Sequence, residues 1–215
     1  MADPARFYLL SPVITDAAGF APRLAEACGG GRIAAVLLRF GAADERSLVN
    51  RIKALAPLAQ DSGAAVVIAA DGDLDLAAIA VRGGADGVHT AAGADEARRL
   101  RERLSDGRIV GAGNIRSKHD AMTLGDADVD YVMFGEPRAD GSLPSLEAVV
   151  ERAVWWAEIF ETPCVAYAPG IEAVPRLART RAEFIGIGDA VWSHPDGPAA
   201  AMAAALERDA TEAAG

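Results

Sequence analysis

Side chains that could do chemistry recur in this 215-residue sequence at one kind of position, near or just beyond the carboxyl end of a short apolar segment. The polar residues at such positions are Arg39, Asp71, His89, Asn114, Glu136, Arg138 and Asp189, and glycines occur there at Gly170 and Gly188. Arginine and the backbone N–H groups of loops bind phosphate, whereas carboxylates bind Mg²⁺ beside phosphate. Histidine and carboxylate side chains can also transfer protons. The residue types are therefore compatible with a site for a small anionic molecule, if the fold brings these positions together.

Each of these residues also has a purely structural interpretation, and the sequence leaves both open. Arg39 ends a buried apolar segment and needs an anionic partner, which could be a ligand phosphate or a protein carboxylate. Asp71, in the sequence Asp-Gly-Asp, could bind Mg²⁺, although a turn or a helix cap is the more common use of this spacing. His89 fits a hydrogen-bonded structural group better than a general base. Gly170 and Gly188 are equally typical of a phosphate loop and of a plain turn.

The apolar segments alternate with helical patterns along the whole chain. They have the length and flanking turn residues of buried parallel strands, and they cover residues 7–13, 33–40, 64–70, 87–90, 108–113, 131–135, 163–168 and 184–191. Between them, apolar residues recur at helical spacing, as at Leu48, Ile52 and Leu55. Eight strand–helix units without a linker predict an α/β protein, a single (β/α)₈ TIM barrel over residues 1–215 with a frayed tail from 209. Chemistry in that fold lies at the carboxyl ends of the strands, where the polar residues would meet.

Composition restricts the partners of the protein. Hydrophobic residues make up 51% and charged residues 24%, which is typical of a globular protein, and no apolar run approaches eighteen residues. The formal net charge of -10 disfavours nucleic acid as a partner, and the N-terminus lacks the pattern of a signal peptide. Cys28 and Cys164 are too few for a disulfide framework. We therefore expect a cytoplasmic protein with no membrane partner.

The adjacent Trp155 and Trp156 bear on oligomeric state. Successive helix positions lie about 100° apart, so the two rings cannot both face the core. The second ring could mark a homodimer contact or could simply be partly exposed.

Six segments, in chain order, resemble motifs of the thiamine phosphate synthase family, which includes the related thiazole tautomerases. They are residues 7–11, 36–41, 70–71, 84–89, 130–137 and 163–171. The most specific is 84–89, which reads Gly-Ala-Asp-Gly-Val-His. Members of the family join a hydroxymethyl-pyrimidine diphosphate to a thiazole phosphate and release pyrophosphate.

The resemblance implies a transferase on a TIM barrel, with phosphorylated small molecules as substrates and Mg²⁺ as a cofactor. It implies a metal ligand at Asp71. The positions that it implies for substrate or phosphate binding are Arg39, Asn114, Arg138, Gly170, Gly188 and Asp189. His89 and Glu136 would also lie at the mouth of the barrel.

The sequence departs from the family pattern where the family places positive charge and metal ligands. Gly41 stands in place of the lysine after strand two, and the loop after strand six, from Arg138, contains no lysine. The lysines of the chain, Lys53 and Lys118, lie elsewhere. Two functions follow from this comparison. One is the family's synthase reaction, and the alternative is a catalytically degenerate member that binds a small ligand or a partner.

A third possibility is other chemistry at the new mouth carboxylates. These are Asp71, Glu136 and Asp189. No residue pattern names a substrate for it, and the sequence leaves open whether the chain is an enzyme.

Overall fold

Eight parallel strands close into a barrel in the order of the sequence. The structure, a computed structural model, describes residues 6–30, 32–104, 107–138 and 140–213. The strands are β1 (Arg6–Ile14), β2 (Ile33–Phe40), β3 (Ala65–Ala70), β4 (Gly87–Thr90), β5 (Ile109–Ala112), β6 (Tyr131–Phe134), β7 (Cys164–Ala168) and β8 (Phe184–Ile187). The barrel closes where β8 pairs with β1, as at Leu9 and Ile187. The predicted (β/α)₈ fold is confirmed.

Helices follow the strands and cover the outside of the barrel. They are α1 (Ala17–Cys28), α2 (Glu45–Gln60), α3 (Leu76–Gly83), α4 (Ala94–Arg103), α5 (Lys118–Gly125), α6 (Leu146–Ile159), α7 (Val174–Ala178), α8 (Asp189–Trp192) and α9 (Gly197–Ala213), with a 3₁₀ turn at Ile171–Ala173. Side-chain caps fix several helix starts: Ser117 accepts the N–H of Asp120, and Ser145 accepts that of Ala148. None of the described helices is both long and apolar enough to cross a membrane.

Strand eight is shorter than predicted, because the apolar run over 184–191 contains two elements. The strand ends at Ile187, and α8 begins at Asp189. Trp192 at the end of α8 donates its indole N–H to the Leu10 carbonyl at 2.6 Å, and its ring packs on Phe20. The apolar residues after β8 are therefore buried by a short helix that packs against β1, and not by a longer strand.

The C-terminal helix extends into the segment that was expected to fray. It runs to Ala213, and the Asp209 side chain is 3% exposed and pairs with Arg32 at 3.0 Å. This pair connects the end of α9 to the start of β2. Residues 214 and 215 of the expected tail lie outside the described residues.

The apolar core has two layers, one between the barrel and its helices and one inside the barrel. Along β1, for example, Leu9 belongs to the outer layer and Tyr8 to the inner layer. The inner layer consists of Tyr8, Leu10, Ala35, Leu37, Val67, Tyr131, Met133, Val165 and Tyr167. Three tyrosines thus point into the barrel, and they bring hydroxyl groups to its interior.

The adjacent tryptophans of α6 differ in burial, as predicted. Trp156 is fully buried and stacks on Phe160 at 4.0 Å between ring centroids. Trp155 is half-buried, and the Lys118 ammonium lies 4.9 Å from its ring centroid.

Candidate active site at the barrel mouth

The structure places the polar residues that were predicted for the site at the carboxyl ends of the strands, where they form two groups. One group lies at the ends of β4, β5 and β6 and contains His89, Asn114, Glu136 and Arg138. The other lies at the ends of β2, β7 and β8 and contains Arg39, Gly170, Gly188 and Asp189. Asp71, directly after β3, is exposed.

A chain of polar contacts runs from the barrel interior to the first group. The Tyr8 and Tyr131 hydroxyl oxygens are 2.6 Å apart, and the Tyr131 hydroxyl is 2.8 Å from Nδ1 of His89. Nε2 of His89 lies 3.2 Å from Oε2 of Glu136. Both tyrosines and the histidine are at most 5% exposed, and the Glu136 side chain is 13% exposed. The chain thus ends in a carboxylate at the mouth.

The positions of the protons in this chain follow from its two ends. Nε2 of His89 faces the Glu136 carboxylate, which only accepts hydrogen bonds, and we therefore assign a proton to this nitrogen. In the neutral tautomer with this proton, Nδ1 accepts, so that Tyr131 donates to His89 and Tyr8 donates to Tyr131. Burial raises the pKa of Tyr8 and raises that of Tyr131 well above its ordinary value, so both hydroxyls keep their protons. The Glu136 carboxylate thus selects the tautomer of His89, and Tyr131 donates to the other ring nitrogen.

Glu136 is held in place because Gly113 has no side chain. A Cβ at position 113 would overlap Oε1 of the Glu136 carboxylate. The backbone N–H of Asn114 donates to the same oxygen, and the Asn114 side-chain amide donates to the Ala91 carbonyl at 3.2 Å. Asn114 has a φ of 56°, a left-handed conformation in which asparagine is enriched. The loops after β4, β5 and β6 are therefore joined around one carboxylate.

A cavity of about 140 Å³ opens beside Glu136. Its lining residues are Ala91, Asn114, Ile115, Arg116, Met133, Gly135, Glu136, Pro137, Arg138, Pro144 and Arg152. Arg152 donates to the carbonyls of Ile115 and Arg116 at 3.2 and 2.9 Å, and Arg138 donates to the Ser142 hydroxyl at 3.2 Å. The cavity thus combines one carboxylate with three guanidinium groups.

In the second group, Arg39 is held by backbone atoms. Its Nε donates to the Ser11 carbonyl at 2.6 Å, and its own backbone N–H donates to the Ser11 hydroxyl at 2.8 Å. Within the described part of the chain, no carboxylate lies within 4.0 Å of Arg39, so the expected anionic partner is not a described protein group. Among the described residues, the other guanidinium N–H groups of Arg39 have no hydrogen-bond partner, so they are available to an anionic ligand.

Tyr167 lies beside Arg39 in this second group. Burial and then the Asp189 charge raise the pKa of the Tyr167 hydroxyl, and the positive charge of Arg39 opposes this shift. A Cβ at Gly188 would lie 3.0 Å from this hydroxyl and 3.3 Å from the Leu10 carbonyl, so glycine lets the turn after β8 approach β1 and β7 closely.

The space beside Gly170 is occupied in this structure, because the Glu172 carboxylate lies where a Cβ on residue 170 would be. Glu172 is exposed, so it can rotate into solvent. A phosphate at Gly170 requires that rotation.

Asp71 does not belong to a cluster of potential metal ligands among the described residues. Among the described residues, no group of three or more His, Cys, Asp or Glu side chains could hold a metal. Mg²⁺ that is bound to phosphates keeps several waters and needs one or two protein carboxylates. The residues therefore fit an ion that arrives on a diphosphate, and they do not fit a metal held by the protein alone.

Sequence reasoning identified the polar residues at the strand ends but missed Tyr8, Tyr131, Tyr167 and Gly113. The tyrosines lie in segments predicted as strands, and their alternation with outer-layer residues could have shown that they point inwards. The role of Gly113 depends on a contact with a side chain 23 positions later, and no local pattern shows it.

A family model and two relatives identify the same family. The family model described as thiamine monophosphate synthase matches residues 7–191. A protein named thiamine-phosphate synthase from Rhodospirillum centenum is 36% identical over 200 residues, which cover 92% of this chain and 94% of the relative. One with the same name from Hyphomonas neptunium is 34% identical over 211 residues, covering 93% and 91%.

A solved structure supports the fold. A thiamine phosphate pyrophosphorylase from Pyrococcus furiosus superimposes with a TM-score of 0.77 at 19% identity and covers 96% of both chains.

Proposed function

Because the chain belongs to the thiamine monophosphate synthase family, we propose that it joins a hydroxymethyl-pyrimidine diphosphate to a thiazole phosphate and releases pyrophosphate. The observation that carries this proposal is the family match, which begins in β1 and ends in α8 and so includes every strand of the barrel mouth. Arg39, whose guanidinium has no carboxylate partner among the described residues, supports an anionic substrate at that mouth.

The reaction requires a leaving diphosphate and an attacking ring nitrogen. The bond between the pyrimidine methylene and the diphosphate oxygen breaks, and its electron pair leaves with the diphosphate. The thiazole nitrogen then forms a C–N bond to the methylene carbon and becomes positively charged. Such a step needs little proton transfer and much stabilisation of the negative charge that develops on the leaving group.

The residues of the mouth can supply that stabilisation without lysine. Arg39 would bind the diphosphate with the guanidinium donors that Ser11 leaves free, and Arg138 would contact it from the β6 side. Arginine stays charged at any ordinary pH and binds phosphate with two parallel hydrogen bonds. Asp71 would hold a Mg²⁺ ion that comes with the diphosphate, and this ion supplies further positive charge. Backbone N–H groups near Gly170 and Gly188 would bind the thiazole phosphate.

The test is product formation from the two substrates with Mg²⁺, followed as thiamine phosphate by fluorescence after oxidation. The wild-type chain should form product, and Arg39→Ala should lower kcat/KM by about 100-fold, as expected for loss of a group that stabilises developing charge. Arg46→Ala, at an exposed position of α2, is the matched control and should retain wild-type activity. If no product forms at high enzyme concentration, the synthase proposal fails.

The second candidate function is binding of a phosphorylated ligand without turnover. It is favoured by the carboxylates of Glu136 and Glu172, which lie over Gly113 and Gly170 at the mouth and repel phosphate. Calorimetric titration with each substrate separates the two functions. Saturable binding of the thiazole phosphate or the pyrimidine diphosphate, with no product in the assay above, would support this candidate.

A further inference from the structure

The Glu136 carboxylate has acceptor capacity that the protein does not use. A carboxylate offers about four lone-pair sites. The described residues supply one hydrogen bond, from the Asn114 N–H, and one charge contact, from Nε2 of His89. That histidine nitrogen is buried and, although 3.2 Å from the carboxylate, has no aligned hydrogen-bond partner. A nearly buried anion and an unsatisfied N–H donor therefore lie side by side at the cavity.

The arginines of the cavity do not neutralise this carboxylate. His89 is the one basic side chain within 4.0 Å of Glu136 in the described ranges. Arg152 donates instead to backbone carbonyls and Arg138 to a serine hydroxyl. Arg116 and Arg138 are exposed, whereas the Glu136 side chain is 13% exposed. The cavity therefore has an acidic inner wall and a basic outer rim.

The size and lining of the cavity suit a single flat ring. A cavity of about 150 Å³ in another protein binds benzene, and this one measures about 140 Å³. Met133, Ile115 and Pro137 give it apolar surfaces on which a flat ring can lie. A carboxylate at the inner wall is unfavourable for a phosphate there but accepts hydrogen bonds from ring or exocyclic N–H groups.

We propose that Glu136 recognises the amino-substituted edge of an aminopyrimidine ring, whose anionic substituent points outwards to Arg116 and Arg138. This inference rests on the function proposed above and names the group that selects its pyrimidine substrate. This recognition also requires glycine at position 113, because any side chain there would displace the carboxylate. Asn114 and His89 orient the carboxylate from two sides and leave its other lone pairs for the ligand.

The experiment measures binding of two phosphate-free probes by calorimetry: the hydroxymethyl-aminopyrimidine alcohol and its analogue with hydrogen in place of the amino group. We expect the wild-type protein to bind the amino compound at least tenfold more tightly, because the analogue leaves the carboxylate unsatisfied. Glu136→Gln should reduce this preference to within about threefold. Glu158→Gln, at an exposed position of α6, is the control and should keep it.

A second variant tests the role of Gly113. Gly113→Ala should lose the preference as Glu136→Gln does, and the double variant should lose no more than either single variant, since both remove one contact. Additive losses would contradict the proposed coupling. The comparison of the two probes on the wild-type protein needs no variant, so it decides the question even if a substitution prevents folding.

The outcomes for recognition and for synthesis are separate. Equal binding of both probes, no binding of either, or a preference that survives Glu136→Gln overturns the recognition by Glu136, whether or not product forms. A preference that depends on Glu136, in a protein that makes no thiamine phosphate, supports the recognition and removes the synthase function.

Discussion

The direction of the hydrogen-bond chain from Tyr8 to His89 makes a quantitative prediction about two similar substitutions. Tyr131→Phe removes the central hydroxyl and leaves two buried groups unpaired, the Tyr8 hydroxyl and Nδ1 of His89. At roughly 1–3 kcal/mol for each buried polar group left without a partner, the free energy of unfolding should fall by about 3 kcal/mol. Tyr8→Phe removes only the terminal donor, since Tyr131 still donates to His89, and should cost about 1 kcal/mol.

The double variant sharpens the test. In the Tyr131→Phe background the Tyr8 hydroxyl has no partner, so replacing Tyr8 by Phe as well removes an unsatisfied group. The double variant should therefore be more stable than Tyr131→Phe alone by about 1 kcal/mol, although Tyr8→Phe destabilises the wild type.

Urea unfolding at pH 7, followed by tryptophan fluorescence, measures these differences as shifts in midpoint at constant slope. Tyr167→Phe is the matched control, because it removes the hydroxyl of the third inward-pointing tyrosine, which is not part of the hydrogen-bond chain. If Tyr8→Phe costs as much as Tyr131→Phe, then Tyr131 donates to Tyr8 and not to His89. The tautomer assigned to His89 would then be wrong.

Two further predictions concern other parts of the barrel. Trp192→Phe should lower the free energy of unfolding by about 2 kcal/mol, because the buried Leu10 carbonyl loses its indole donor; urea unfolding measures it, and no loss would contradict the role given to α8. Burial, with a smaller contribution from the Glu183 charge, raises the pKa of Cys164 to about 12, so a thiol reagent at pH 8 should not modify Cys164 in the folded protein but should modify it in guanidinium. Above about pH 8.5 the unfolded chain loses the Cys164 proton and the folded chain keeps it, so this group makes stability fall as pH rises; a Cys164→Ala variant should show a weaker fall.

The strands were predictable because burial on both faces leaves an uninterrupted apolar run. For β2 and β4 the predicted bounds, 33–40 and 87–90, are those of the structure. The prediction for β8 ran on to residue 191 because α8 has four residues, which is about one turn and too short to show a helical period. A buried short helix and the end of a buried strand look alike in composition. Contact with β1 through Trp192 decides between them, and it joins residues 182 positions apart.

The candidate site was predictable only as a set of positions. The sequence shows that Arg39, His89 and Glu136 lie at the ends of predicted strands, and closure of the barrel then places them at one mouth. Which of them touch is decided across the barrel. The pairing of His89 with Glu136 depends on the lack of a side chain at Gly113. The contact of Nδ1 depends on Tyr131, which was predicted only as part of a strand. Such relations require the distances between strands, which the order of residues does not contain.

A side chain at position 113 and the Glu136 carboxylate cannot occupy the same space, and this steric conflict decides what the mouth can bind. With glycine at position 113, the carboxylate takes the place beside the Asn114 N–H, and that backbone donor is no longer available to an anion. With any larger residue there, the carboxylate has to leave and the donor becomes free. A lysine introduced at the rim in place of an arginine or a glycine would therefore not by itself allow phosphate to bind at this position. The Glu136 carboxylate would still occupy the Asn114 N–H. Glu136→Ala is the smallest change that frees the donor, and it should strengthen inorganic phosphate binding. Gly113→Ala should do so to a smaller extent, because it displaces the carboxylate without removing it.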